Sequence, residues 1–363
     1  MRRIRVPIVD DSVVARRMIT DVLKPASEIE VVGAAASASI ALQKIPQVVP
    51  DVVLLDVEMP EMDGIEAVTR IRQAWPRLPV IMCSSLTERG ADITLRAIAA
   101  GASDYVAKPS AIGNGGGLTS FGNDLIAKLR VFGGVRSSDV SQPAAPAKAP
   151  HARGQREATS VIAIGSSTGG PNALTTLFAA LPSDLAVPVL IAQHMPPMFT
   201  KLLAERLTAS SGFDVVEASD GELVLPGRAY VAPGSFHMTV VRDGTAVRIA
   251  LNQEQPENSC RPAVDVLFRS VARLYGGGTL AVVLTGMGHD GTRGAEQIVE
   301  AGGEILIQDA ASCVVPSMPN SVAAAVAVDG IYSIDRIGTE LASRVARRAM
   351  RQPGRSDNTM RLP

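Results

Sequence analysis

The sequence predicts an α/β protein of two successive domains: an N-terminal doubly wound (βα)5 unit, then a C-terminal α/β unit with a mainly parallel sheet and an antiparallel hairpin insert. Three observations predict this. Short apolar runs alternate with helix-period segments in both halves, the order that produces parallel sheets. Hydrophobic residues make up 46% of the chain and aromatics only 3%, so the cores are packed with Val, Leu, Ile and Ala, as suits strands covered on both faces. A chain of 363 residues is long for one core, and its composition turns to Gly, Ser, Pro and Ala over 133–159, a stretch that cannot bury enough apolar surface to offset its ordering entropy.

The first unit, 1–132, opens with the strand 4–9, interrupted by Pro7, whose end delivers Asp10-Asp11-Ser12 into a helical pattern. Val52-Val53-Leu54-Leu55 is a buried strand ending in Asp56, followed by the turn Met62-Asp63-Gly64. A third run, 80–83, ends in Ser84-Ser85, and a fourth, 105–107, ends in Lys108-Pro109. The glycines at 113 and 115–117 mark a surface loop before a last helix over 121–131. These strand ends share one edge of a parallel sheet, so their polar groups converge. Asp10, Asp11 and Asp56 supply the hard oxygens that suit Mg2+. Asp56 can act as a nucleophile toward a phosphoryl group, whose oxygens Lys108 and Ser84 can meet. The competing structural reading makes Asp10 or Asp11 a helix cap and Asp56 a turn residue. The order and spacing of all five groups together favour the chemical one.

The segment 133–159 is a tether containing His151, and 352–363 is a tail. The second unit, 160–351, begins with the strand Val161-Ile162-Ala163-Ile164, which runs into Gly165-Ser166-Ser167-Thr168-Gly169-Gly170 and a helix over 173–180. The G-x-S-x-G spacing centres Ser167 on a sharp strand-to-helix turn, the arrangement that lifts a hydroxyl above a sheet, although glycine-rich turns also cradle phosphates. A strand over 187–192 ends in Gln193-His194, and a helix follows over 199–208. Short runs at 215–218, 228–231, 236–241 and 247–251, with glycine turns between them, read as the antiparallel insert. A helix over 264–275 and a strand over 280–284 lead to Thr285-Gly286-Met287-Gly288-His289-Asp290-Gly291. A helix after Gly294, a strand over 304–307 and a helix over 337–350 close the chain.

Ser167, His194 and Asp290 all follow strand ends. Among the four histidines, His151 lies in the tether, His237 in the hairpin region and His289 beside Asp290, which leaves His194 best placed as a base. The chemistry this set supports is acyl transfer: Ser167 attacks a carbonyl, His194 carries its proton, Asp290 fixes the imidazole tautomer, and the Met287 amide between two glycines meets the oxyanion. The order Ser, His, Asp differs from the Ser, Asp, His of α/β-hydrolases. No H-E-x-x-H pattern points to a metallohydrolase, and the acyl-transfer chemistry needs no cofactor.

Composition narrows the alternatives. Lys and Arg total 35 against 36 for Asp and Glu, so no basic field holds nucleic acid. Cys83, Cys260 and Cys313 form no C-x-x-C pair, which favours neither disulfides nor a thiolate zinc site and fits a cytoplasmic chain. Met1-Arg2-Arg3 precedes only a short apolar run stopped by Asp10-Asp11, and no stretch spans a bilayer, so membrane insertion is not expected.

Two resemblances extend this reading. Residues 1–129, through Asp10-Asp11-Ser12, Asp56, Met59-Pro60, Asp63-Gly64, Ser84, Tyr105 and Lys108-Pro109, resemble a response-regulator receiver domain. That resemblance implies phosphorylation of Asp56 by a histidine kinase with Mg2+ on Asp10 and Asp11, and a relay of the change through Ser84 and Tyr105. The motifs Gly165-Ser166-Ser167-Thr168-Gly169-Gly170, Gln193-His194-Met195-Pro196, Tyr230-Val231-Ala232-Pro233-Gly234, Arg261-Pro262-Ala263-Val264-Asp265 and Thr285-Gly286-Met287-Gly288-His289-Asp290-Gly291 resemble the chemotaxis protein-glutamate methylesterase family. The family implies hydrolysis of glutamate methyl esters on chemoreceptor helices and deamidation of receptor glutamines, with the serine, histidine and aspartate falling on Ser167, His194 and Asp290. The expected partners are the kinase and the methylated receptor helices. The tether suggests that the unphosphorylated receiver covers the Ser167 cleft. A noncatalytic phosphate sink or receptor adaptor is the rival. Two departures stand out: Ser166 replaces an alanine before the nucleophile, and Pro316-Ser317 interrupts an aromatic-glycine step, a change expected to alter a loop near the site.

Overall fold

The computed structural model describes residues 2–109, 115–134 and 157–349, in two compact units that are taken separately. The rest of the tether, with His151, and the tail 352–363 lie outside the described residues.

The first unit runs β1 (Ile4–Val9), α1 (Val13–Leu23), β2 (Ile29–Ala35), α2 (Ala38–Val48), β3 (Val53–Asp56), α3 (Gly64–Ala74), β4 (Val80–Ser84), α4 (Glu88–Ala99), β5 (Asp104–Ala107) and α5 (Gly115–Phe132). Its sheet has the order β2-β1-β3-β4-β5, all parallel. Val53 to Asp56 and Val80 to Ser84 are buried throughout, as a sheet covered on both faces requires. Pro7 lies in an inner strand. The register with β2 shifts between Val6 and Pro7, a local irregularity that absorbs the missing donor and keeps Asp10 at the strand end. Ser12, not either aspartate, caps α1, accepting from Ala15 N. β2 had no single apolar run to announce it: it is an edge strand buried only at its ends. The glycine run expected as a loop instead enters α5 at Gly115.

The second unit contains β6 (Val161–Ser166), α6 (Gly170–Ala179), β7 (Val189–Gln193), α7 (Phe199–Ser211), β8 (Asp214–Glu217), β9 (Arg228–Val231), β10 (His237–Asp243), β11 (Ala246–Asn252), α8 (Val264–Tyr275), β12 (Thr279–Val283), α9 (Thr292–Glu300), β13 (Glu304–Gln308), α10 (Ser317–Ala325), β14 (Gly330–Tyr332) and α11 (Ile334–Ala349). The main sheet has the order β14-β13-β12-β6-β7-β9-β8, every pair parallel. Only β10 and β11 form the antiparallel insert. The runs at 215–218 and 228–231, grouped with that insert from their short glycine-punctuated pattern, are β8 and β9 of the parallel sheet. A long connection separates them, as parallel pairing demands.

α8 lays Val264, Leu267, Phe268 and Val271 on the sheet at helical spacing, all fully buried. Each such side chain contributes about 1.5–3 kcal/mol of burial free energy. β6 sits between β12 and β7, where strand order turns back, so the carboxyl ends of these neighbours border the crevice typical of ligand sites.

Candidate active site

Ser167, His194 and Asp290 follow β6, β7 and β12. β6 ends in a turn opened by Gly169, whose φ of +79° favours glycine, and α6 starts at once. Ser167 N donates to Thr285 O at 3.1 Å and His194 N to Ser166 O at 3.1 Å, which sets the three strand ends side by side. A Cβ on Gly286 would lie 2.9 Å from Ser167 Cβ, so the glycine makes room for the serine beside the 286–290 loop.

The two adjacent hydroxyls have different fates. Ser166 is fully buried and donates to Gln193 Oε1 at 2.6 Å, whereas Ser167 is half-buried. Gln193 Nε2 then donates to Ser167 O at 3.0 Å and His194 O at 3.2 Å, tying both backbones to one buried amide. Ser166 is a structural member of this network, and only Ser167 faces outward.

His194 Nε2 lies 2.8 Å from Asp290 Oδ2. Asp290 is 2% exposed and accepts from Val264 N (2.7 Å), Asp265 N (3.0 Å), Gly291 N (2.9 Å) and Asn258 Nδ2 (2.9 Å). Two of these donors are the first amides of α8, whose dipole also favours an anion. Asp265 of α8 returns the arrangement by accepting from Gly294 N of α9 at 2.7 Å. Burial opposes the Asp290 charge, but the His194 contact and these amides prevail and depress the carboxyl to about 2. Burial likewise opposes an imidazolium at His194, and the Asp290 and Cys260 contacts outweigh it, raising the ring above its ordinary value.

His194 Nδ1 faces Cys260 Sγ at 3.4 Å, and among the described residues no hydrogen bond joins the Ser167 hydroxyl to the ring. Cys260 is fixed by reciprocal backbone bonds with Glu257 across Asn258 and Ser259, both at positive φ. Glu257 is clamped by both terminal nitrogens of Arg269. Sequence reasoning missed Gln193, Asn258, Cys260 and Asp265 as parts of the site. The left-handed demand of Asn258-Ser259 was the available local signal, since asparagine tolerates that region.

His237 is buried at the start of β10, accepts from Ala263 N and contacts Gln255 O; His289 is exposed. Met287 N makes no hydrogen bond among the described residues. Pro316-Ser317, expected to alter a nearby loop, braces it: Gly288 N donates to Ser317 Oγ at 3.0 Å and that hydroxyl donates to Gly286 O at 2.9 Å.

In the first unit Lys108 Nζ donates to Asp10 Oδ2 and Asp56 Oδ1, each at 2.7 Å, and Val57 N donates to Asp56 Oδ1 at 2.9 Å. Burial pushes Asp56 up to about 6 against the pull of Lys108. Burial would lower Lys108, yet the Asp56 and Asp10 contacts raise it to about 12. One ligand oxygen each from Asp10, Asp11 and Asp56 falls within 4.8 Å of the others. This all-oxygen set fits a hard divalent ion such as Mg2+. Ser84 ends β4 fully buried, its hydroxyl donating to Ser85 O, and Tyr105 is buried in β5.

Comparison with known proteins follows the division into units. A family model described as CheB methylesterase matches residues 162–341, and one described as response regulator receiver domain matches residues 6–114. A protein-glutamate methylesterase/protein-glutamine glutaminase of Trichodesmium erythraeum is 47% identical, the alignment covering 95% of this chain and 100% of the relative. Its namesake from a Nocardioides strain is 46% identical over 96% of this chain and 97% of its own. The crystal structure of the Thermotoga maritima CheB methylesterase catalytic domain aligns with a TM-score of 0.50 at 41% identity, covering 51% of this chain and 98% of that one.

Proposed function

This chain belongs to the protein-glutamate methylesterase/protein-glutamine glutaminase family, and on that premise we propose that Ser167, His194 and Asp290 are the residues that carry its hydrolysis. The enzyme demethylates glutamate γ-methyl esters of chemotaxis receptors and deamidates receptor glutamines, under control of a phosphorylated receiver. No described helix is long and apolar enough to cross a membrane.

The observation that carries the assignment is the 2.8 Å contact of His194 Nε2 with the buried Asp290 carboxylate, beside the strand end that presents Ser167. With Nε2 committed to Asp290, Nδ1 is the atom that takes the Ser167 proton. Nucleophile and base close on substrate binding, since such contacts are commonly loose in the substrate-free enzyme. Ser167 Oγ attacks the ester carbonyl, Met287 N–H stabilises the oxyanion by about 3 kcal/mol, and His194 returns the proton to departing methanol. Water then releases glutamate from Ser167 by the same route. The esterase step needs no cofactor.

The domains are a receiver over 1–132, a tether over 133–159, a catalytic unit over 160–351 and a tail over 352–363. In the receiver, Asp56 accepts a phosphoryl group from the histidine kinase of a chemotaxis-type pathway; Asp10, Asp11 and Asp56 would hold Mg2+, which would supply charge neutralisation for that transfer. Lys108 meets the phosphoryl oxygens, and Ser84 and Tyr105 respond to them. Phosphorylation then raises hydrolysis of methyl esters on receptor helices.

Methanol release from methylated receptor tests the assignment: Ser167→Ala reduces it by at least about 10³-fold, whereas an adaptor that only binds receptor is indifferent to the change. A thiol nucleophile at Cys260 is the second reading, favoured by its contact with His194 Nδ1. In that case Cys260→Ser, not Ser167→Ala, removes activity.

A further inference from the structure

We propose that His194 Nδ1 and Cys260 Sγ form a binding site for one soft divalent cation, Zn2+ above all, and that filling it switches the esterase off. Sequence spacing offers no C-x-x-C pair, but folding brings the sulfur within 3.4 Å of the ring nitrogen. A tetrahedral zinc with ~2.05 Å to nitrogen and ~2.3 Å to sulfur spans an N–S edge of ~3.5 Å. The pair is therefore already spaced as two vertices of that ion.

Two further features prepare the site. The opposite ring nitrogen is held by the Asp290 carboxylate at 2.8 Å, the carboxylate–histidine–metal arrangement that fixes the tautomer and strengthens the ligand. The thiol is held as well, because Cys260 closes a turn locked by Glu257 N–H to Cys260 O at 3.1 Å, by Cys260 N–H to Glu257 O at 2.9 Å and by the Arg269–Glu257 pair. Both ligands are thus placed without the cation, which lowers the ordering cost of binding it.

Binding is ligand exchange without redox chemistry. The S–H bond breaks, its proton goes to solvent, any proton on Nδ1 leaves likewise, and water completes the coordination. Mg2+ does not compete, because hard ions prefer the carboxylate oxygens of Asp10, Asp11 and Asp56. Inhibition follows because the metal occupies the lone pair that must receive the Ser167 proton; this half of the inference rests on the function proposed above.

The test titrates the full chain, with Mg2+ present in excess, with Co2+ as a spectroscopic stand-in and then with Zn2+. One equivalent of Co2+ should produce a thiolate-to-metal charge-transfer band that Zn2+ displaces. The band should vanish in Cys260→Ser and Cys260→Ala and persist in Cys313→Ser and Ser167→Ala. A thermal melt of each variant checks that it is folded, and if both Cys260 variants are unfolded, ring-nitrogen shifts of His194 in zinc-loaded wild type decide. Methyl release by wild type should fall about tenfold or more with Zn2+ and return with a chelator, whereas Cys260→Ser, measured against its own metal-free rate, should need about tenfold more Zn2+. No band, a band that survives loss of the Cys260 thiol, or equal zinc sensitivity in the variant overturns the proposal. A metal band alongside undiminished hydrolysis by Ser167→Ala leaves the metal site standing and refutes the nucleophile instead.

Discussion

The receiver pocket and the hydrolase cleft each set a buried aspartate beside a nitrogen-bearing side chain at the carboxyl edge of a parallel sheet, and they drive the two carboxyls in opposite directions. Asp56 meets one backbone amide and shares Lys108 with Asp10, and burial wins, raising it to about 6. Asp290 collects three backbone amides, the Asn258 side chain and His194, and these donors beat burial and depress it to about 2. Donor supply rather than depth separates them. Under the proposed roles, a thinly solvated carboxylate suits a group that is to react with phosphorus and hold a cation, and a saturated one suits a permanent anion that orients a ring.

The comparison breaks most visibly at Asp290. Asp290→Asn keeps the shape and removes the charge, so kcat for methyl release should fall on the order of 10⁴-fold; a loss under about tenfold would mean that the donor-wrapped anion is not what the imidazole needs. Asn258→Ala removes the donor shared by Asp290 and Asp265, bonded at 2.9 and 3.0 Å. Its kcat should drop by about 10–100-fold with little change in KM, because the ring is mispositioned while the substrate surface is intact.

The receiver half is sharpened by stability. The folded pKa of Asp56 lies above the ordinary 3.8, so the folded state binds its proton more tightly and loses stability as pH rises from about 4 through 6. In Mg2+-free buffer Asp56→Asn should therefore stabilise the protein at pH 7 by on the order of 1–3 kcal/mol and leave it unchanged near pH 3.5, as read by denaturant melts. The smallest effect belongs to the imidazole. His194 is raised, so its neutral, proton-accepting form appears only above the ordinary value of 6.5, and the ascending limb of the pH–rate profile should lie there. Cys260 contributes to that rise, so Cys260→Ser should move the limb to lower pH. The same shift stabilises the fold below pH 6.5, a contribution lost as pH climbs through the folded value.

The two sites were not equally legible in sequence. Asp10, Asp56, Ser84 and Lys108 each stand directly at a strand end, so apolar runs alone locate them, as they locate Ser167, His194 and the 286–290 loop. Asn258, Cys260 and Asp265 reach the cleft from a tight turn and the first turn of α8, where no strand run points. Gln193 was visible at a strand end, but its buried bonds to Ser166 and two backbone carbonyls depend on pairing across β6 and β7. In the fold, β8 and β9 were misread because a short strand carries the same pattern whether its partner runs parallel or antiparallel, and β2 was hidden by its edge polarity.

The central claim is that the Ser167 hydroxyl, the His194 ring and the Asp290 carboxylate act as one proton-transfer chain with Ser167 as the acyl carrier. Rapid-quench mass spectrometry of the enzyme mixed with methylated receptor tests it most directly. A transient glutamyl ester on the peptide containing Ser167, absent in Ser167→Ala, is the predicted result. The same adduct on Cys260 or Ser166, or hydrolysis by Ser167→Ala at the wild-type rate, would contradict it.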